Sequence, residues 1–189
     1  RYGAGARKVY IQASLHADEL PGMRTAWELK QRLNALEAQG RLQGVIELVP
    51  VANPIGLDQH LQGNHMGRFE LGSGKNFNRA FVELSAPVAA LIGERLGSDA
   101  EANIALIRQA MSQVFDDLPA PASQLEALHR LLLRHACDAD ITLDLHCDFE
   151  ASIHLYALPQ HWPQWQSLAA RLKAGVALLC EDSGGSSFD

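Results

Sequence analysis

The chain has 189 residues, 47% of them hydrophobic and 20% charged, with a formal net charge of −6. Such proportions fit one globular domain with a sizeable core, or part of a larger one. The 16 Lys and Arg are scattered among 22 Asp and Glu, which argues against a nucleic-acid partner held through phosphates, and no apolar run approaches the ~20 residues of a membrane span. Cys137, Cys147 and Cys180 are odd in number and lack a C-x-x-C pair. A disulfide framework is therefore not expected, and a reducing compartment, the cytoplasm, is mildly preferred. The first residue is Arg1 rather than Met, so this bound on localisation is loose.

Residues 8–15 read as a buried strand followed by a turn around Pro21-Gly22. Met23, Ala26, Trp27, Leu29, Leu33 and Leu36 then recur at helical spacing, with Gly40 as the stop. Residues 45–51 form a second β-rich run, broken by Asn53-Pro54 and Gly56. Residues 58–79 are polar and glycine-rich without a sustained period, a long loop of the kind that is usually functional or disordered. Residues 83–137 are helical in segments broken near Gly97-Ser98 and at 119–121, with Ser98 or Asp99 capping the second segment and Ser123 the third. Residues 141–145 and 152–158 read as strands, 162–173 as a helix and 176–180 as a strand. A loop over 184–189 ends the chain in mid-fold. Strands alternating with helices predict an α/β architecture with a largely parallel sheet, as a single domain over residues 1–189.

Two of these strands end in histidine. His16 and Glu19 follow the first, and His146 closes I-T-L-D-L-H. Open α/β sheets bind ligands at the carboxyl ends of strands. Imidazole and carboxylate suit zinc, whose catalytic sites use three protein ligands and leave one position for water. The H-x-x-E spacing alone is weak, because 8 His and 11 Glu produce roughly half of one by chance. The reversed pair Glu126 and His129 lies in an amphipathic helix and reads as an ordinary i,i+3 surface pair. Asp144 shares a strand face with His146 and can accept the second ring N–H of a metal-bound histidine. Asp148 and Glu150 are either outer partners of the site or solvated, and Cys147 is a small packing residue rather than a ligand. Asn78-Arg79 closes the polar loop as a candidate carboxylate clamp. Arg68, earlier in that loop, is a candidate to polarise a carbonyl.

Taken in order, H-A-D-E-L-P-G, A-N-P-I-G, G-R-F, N-F-N-R and D-L-H-C-D resemble the succinylglutamate desuccinylase/aspartoacylase branch of the zinc carboxypeptidases, over residues 16–148. The resemblance implies a zinc-carboxypeptidase-like fold, a mixed, largely parallel sheet flanked by helices. It implies one zinc ion held by His16, Glu19 and His146, a substrate carboxylate bound by Asn78 and Arg79, and Arg68 as the carbonyl-polarising residue. Ala17 stands where members often carry glycine, a harmless departure if its backbone is unstrained. The family's general base, a glutamate on a late strand, has no counterpart: Glu150 is too close to His146, and Glu181 precedes the point where that motif would begin. The expectation is a metallohydrolase catalytic domain cut short at its C-terminus and inactive by itself. In complete form it would deacylate an N-acyl amino acid, or act as a metallocarboxypeptidase on short peptides. Should the native chain end near Asp189, a non-catalytic metal- or carboxylate-binding module replaces both. The expected partner is a small anionic substrate, without nucleic acid or membrane, and a homo-oligomer is left open.

Overall fold

Strand β1 (Lys8–Ala13) is the centre of the main sheet, with β2 (Val45–Val49) on one side and β5 (Ile141–Leu145) on the other, both parallel to it. The computed structural model describes residues 1–182, 184 and 188, and most of the loop expected over 184–189 lies outside them. Alternation sets the faces of β1. Tyr10 and Gln12 point one way, Ile11 and Ala13 the other, and all four are buried. In register, Gln12 stands between Val49 and Asp144. The chain is thus α/β with a parallel sheet flanked by helices. Parallel pairing also joins β6 (His154–Ala157) to β7 (Val176–Leu179), but as a separate two-stranded sheet.

Helix α1 (Leu20–Ala38) starts earlier than its apolar period indicates. Pro21 falls in the first turn, where a missing N–H costs nothing. Gly22, read as part of a turn, is a buried helical residue, because a Cβ there would lie 2.8 Å from the Leu145 carbonyl oxygen. Trp27 does not join the core; it is 52% exposed, with Lys30 lying over its ring. After β2, Asn53 caps the short helix α2 (Pro54–Leu57) by accepting from the Gly56 N–H. The long loop contains one hairpin, β3 (His60–Leu61) with β4 (Asn64–His65).

Three helices follow: α3 (Ser85–Ile92), α4 (Ala100–Asp117) and α5 (Gln124–Cys137). Asp99 caps α4 and Ser123 caps α5, each accepting backbone N–H groups of the first turn. Helix α6 (Trp162–Leu172) lies between β6 and β7 in sequence. Two apolar clusters hold these layers, one around Leu15, Phe77, Phe81 and Leu128, the other between α3 and α4 around Val88, Ile92 and Val114. Among the described residues no helix is long and apolar enough to cross a membrane.

His129 corrects the surface-pair reading. It is 4% exposed, its Nε2 donates to the Phe77 carbonyl at 2.7 Å, and its ring stacks on Phe81. Glu126 instead pairs with Arg130. Burial, only partly offset by the carbonyls of Phe77 and Ala80, holds the His129 pKa below its ordinary 6.5. Above that value neither state gains a proton. Below it the unfolded chain takes one that the folded chain resists, so stability falls as pH drops from about 6.5. A His129→Gln variant is therefore expected to show a flatter urea midpoint between pH 7 and pH 5 than the parent, and an equal slope would contradict the assignment.

Candidate metal centre

Ser14, directly after β1, takes a left-handed φ of 64° and bends the chain out of the sheet. The Asn53 amide holds this bend from below, donating to the Leu15 carbonyl at 2.8 Å. His16 emerges next, 3% exposed, with Ala17 fully buried beside it. Ala17 is absent from the residues of positive φ, so the side chain it carries in place of glycine causes no backbone strain. Glu19 occupies the N-cap position of α1 yet makes no cap hydrogen bond. Glutamate is not among the side chains that cap helices well, and this carboxylate lies towards the two histidines instead.

That carboxylate is the hub of the site. Its Oε1 lies 2.8 Å from His16 Nδ1 and its Oε2 lies 3.0 Å from His146 Nδ1. The Cys147 backbone N–H donates to Oε2 at 2.8 Å, and Arg68 Nη1 donates to Oε1 at 3.0 Å. One ligand atom from each of His16, Glu19 and His146 lies within 4.8 Å of the others, so the group can hold a metal ion. The two imidazole rings meet edge to face, with centroids 5.0 Å apart.

The outer nitrogens test that fit. His146 Nε2 faces Asp144 Oδ2 at 2.8 Å, and His16 Nε2 faces Asn76 Oδ1 at 2.8 Å. Asn76 Oδ1 also accepts the Asn78 backbone N–H, which fixes the orientation of its amide. Both partners are acceptors, so each Nε2 carries a proton and each Nδ1 of a neutral ring presents a lone pair. Those lone pairs face a carboxylate that is itself an acceptor. Positive charge must lie between them, as a second proton on a ring or as a metal cation, for which both histidines would already be oriented.

Electrostatics agree. Burial would raise the Glu19 pKa, but hydrogen bonds from His146, His16 and the Cys147 N–H hold it far below the usual carboxylate range. Burial opposes charge on His146, yet the hydrogen bonds and charges of Asp144 and Glu19 raise its pKa to about 10.

The remaining candidates lie at different distances from this hub. Arg68 touches Glu19 with a side chain 45% exposed. Asn78 is buried; its backbone shares Asn76 Oδ1 with His16, and its own Oδ1 accepts the Phe188 N–H at 2.8 Å. Arg79 is exposed and folds back on the Asn78 carbonyl at 2.6 Å. Asp148 contacts His154 at 3.6 Å rather than the hub, and Glu150 is exposed. Cys147 contributes its backbone, not its thiol, which burial pushes up. Sequence reading missed Asn76. The only signal was the N-F-N-R quartet itself, where Asn76 and Asn78 flank the buried Phe77.

A family model described as the succinylglutamate desuccinylase/aspartoacylase catalytic domain matches residues 5–96, which include His16, Glu19, Arg68, Asn78 and Arg79. The structure is also similar, over 100% of this chain, to a protein from Shewanella amazonensis SB2B assigned to the same family, with a TM-score of 0.84 and 30% identity. This chain belongs to the succinylglutamate desuccinylase/aspartoacylase family. A second member of that family, from Shewanella frigidimarina NCIMB 400, matches 97% of the chain with a TM-score of 0.75 and 28% identity. The chain spans about half the length of each of these desuccinylase/aspartoacylase family structures, 51% and 48%. No curated protein matches it.

Proposed function

We propose that this chain carries the metal- and carboxylate-binding part of a zinc-dependent hydrolase that cleaves an amide bond beside a free carboxylate, with an N-acyl amino acid as substrate. The observation that carries the reading is the Glu19 carboxylate, lying between two histidines whose outer nitrogens are both tied to acceptors. Zinc is favoured by the His₂Glu donor set. Bound there, the ion would lower the pKa of water towards neutrality and polarise a carbonyl.

The protein groups divide the remaining work. Asp144 and Asn76 hold the rings in one tautomer and orientation, which keeps Nδ1 free for the metal. Arg68 reaches the hub through one nitrogen, and the rest of its half-exposed fork is available to a substrate carbonyl oxygen. Asn78 and Arg79 receive the free carboxylate, for which the planar guanidinium offers two parallel donors.

Two measurements on the native protein test this. Metal analysis should give one zinc per chain, and an N-acyl amino acid should be turned over faster than a short peptide. Faster peptide turnover would instead favour the carboxypeptidase alternative. Arg79→Lys keeps the charge but loses the fork. It is expected to raise KM for the acyl amino acid by roughly 10- to 100-fold, since charged hydrogen bonds are worth about 1.5–3 kcal/mol, with zinc content unchanged. An unaltered KM would remove Arg79 from the clamp.

A further inference from the structure

The face of the sheet beneath the site carries a row of polar side chains that the reaction does not require. Tyr10 and Gln12 are both fully buried, and the Tyr10 hydroxyl donates to Gln12 Oε1 at 2.8 Å. This bond fixes the amide: with Oε1 turned to Tyr10, Nε2 points the other way. Gln12 is paired in register with Asp144 on the adjacent parallel strand, which puts both side chains on one face. Among the described residues, three buried atoms at this end of the sheet have no partner: a donor, Gln12 Nε2, an acceptor, Asp144 Oδ1, and the Ser14 hydroxyl oxygen just past β1. Leaving a buried donor or acceptor unpaired is costly, so a donor and an acceptor on register partners have strong reason to meet. The other oxygen of Asp144 is the one that orients His146. Behind Tyr10 the row ends against His135, whose ring stacks on the phenol at 6.0 Å and whose Nδ1 meets Glu47.

We propose that Gln12 and Tyr10 are positioning residues for the metal centre: the Gln12 amide donates to Asp144 Oδ1, and Tyr10 holds that amide in place. Asp144 is then fixed at both oxygens, one by Gln12 and one by His146. Without Gln12 the carboxylate can rotate, and His146 loses the partner that sets its tautomer. The proposal rests on the zinc reading for its consequence, but not for its geometry, because Tyr10, Gln12 and Asp144 share one face of the sheet whether or not an ion is bound.

The test uses the native protein and three variants: Gln12→Met, which keeps the volume and removes the amide, Tyr10→Phe, and the double variant. Zinc affinity is measured by competition with a chromophoric chelator. The ring nitrogens of His16 and His146 are followed by ¹⁵N NMR in the metal-free protein. Gln12→Met is expected to weaken zinc binding roughly tenfold, at the lower end for an outer partner of a metal ligand, and to move the His146 resonances while leaving those of His16 in place. Tyr10→Phe should act in the same direction with a smaller effect and add nothing in the Gln12→Met background. A merely structural role would lower the melting temperature with the His146 resonances unmoved. That result, or full additivity of the two substitutions, overturns the proposal. If the parent binds no zinc, the zinc reading fails on its own, and the His146 resonances of the metal-free variants still decide whether Gln12 and Tyr10 position it.

Discussion

Replacing His146 with alanine is expected to weaken zinc binding by about two orders of magnitude. Tightly bound structural zinc with four protein ligands is worth about 10–16 kcal/mol, so one ligand of similar quality contributes about 3 kcal/mol. His154→Ala is the matched control, because that histidine contacts Asp148 at 3.6 Å and lies outside the hub. Equal affinity in the two variants would remove His146 from the ligand set. The same substitution has a second expected effect in the metal-free protein. With its pKa raised to about 10, charged His146 stabilises the fold fully below its unfolded value near 6.5 and progressively less as pH climbs through 10. His146→Ala should therefore lower the metal-free urea midpoint more at pH 6 than at pH 10, and the opposite order would contradict the sign of the shift.

Gly67→Ala is the second large effect. Gly67 is buried, and its carbonyl accepts the Ala17 N–H at 2.9 Å. A Cβ there would lie 2.1 Å from the Asp18 nitrogen and 2.7 Å from the Ala17 carbonyl carbon. These neighbours are backbone atoms between His16 and Glu19 and cannot move aside as a flexible side chain would. Overpacking a tight site costs about 1–3 kcal/mol and sometimes more, and this contact belongs at the upper end. The added methyl would push the loop bearing Arg68 away from the segment joining His16 to Glu19. Gly67→Ala is thus expected to lower stability in urea by about 3 kcal/mol and to weaken zinc binding together with it. Parental stability would mean that the two segments separate freely.

Much of the local structure was legible in the sequence because local rules decide it. The run at residues 141–145 is a strand from end to end, and the caps Asp99 and Ser123 lie at the starts of α4 and α5. The spacing of His16 and Glu19 was visible as well, though their convergence on His146 depends on β1 and β5 being neighbours, which is a property of the sheet. What local pattern could not give was set by distant partners. Gly22 reads as a turn until the end of β5 is placed against it. His129 reads as a surface residue because its helix offers Glu126 three positions away, whereas the loop at Phe77–Phe81, some fifty residues earlier, buries it. The role of Asn76 has the same origin: its partner lies 60 residues away.

The distance along the chain between the members of this cluster also bears on how it is made. Glu19 and His146 lie 127 residues apart in the chain. At about 5–20 residues per second of synthesis, His146 leaves the ribosome roughly 6–25 s after Glu19. During that interval the nascent chain holds His16 and Glu19 without the β5 strand that brings His146 to them. The cluster of His16, Glu19 and His146 therefore forms only once β1 and β5 have paired, and any property that needs all three side chains reports that pairing.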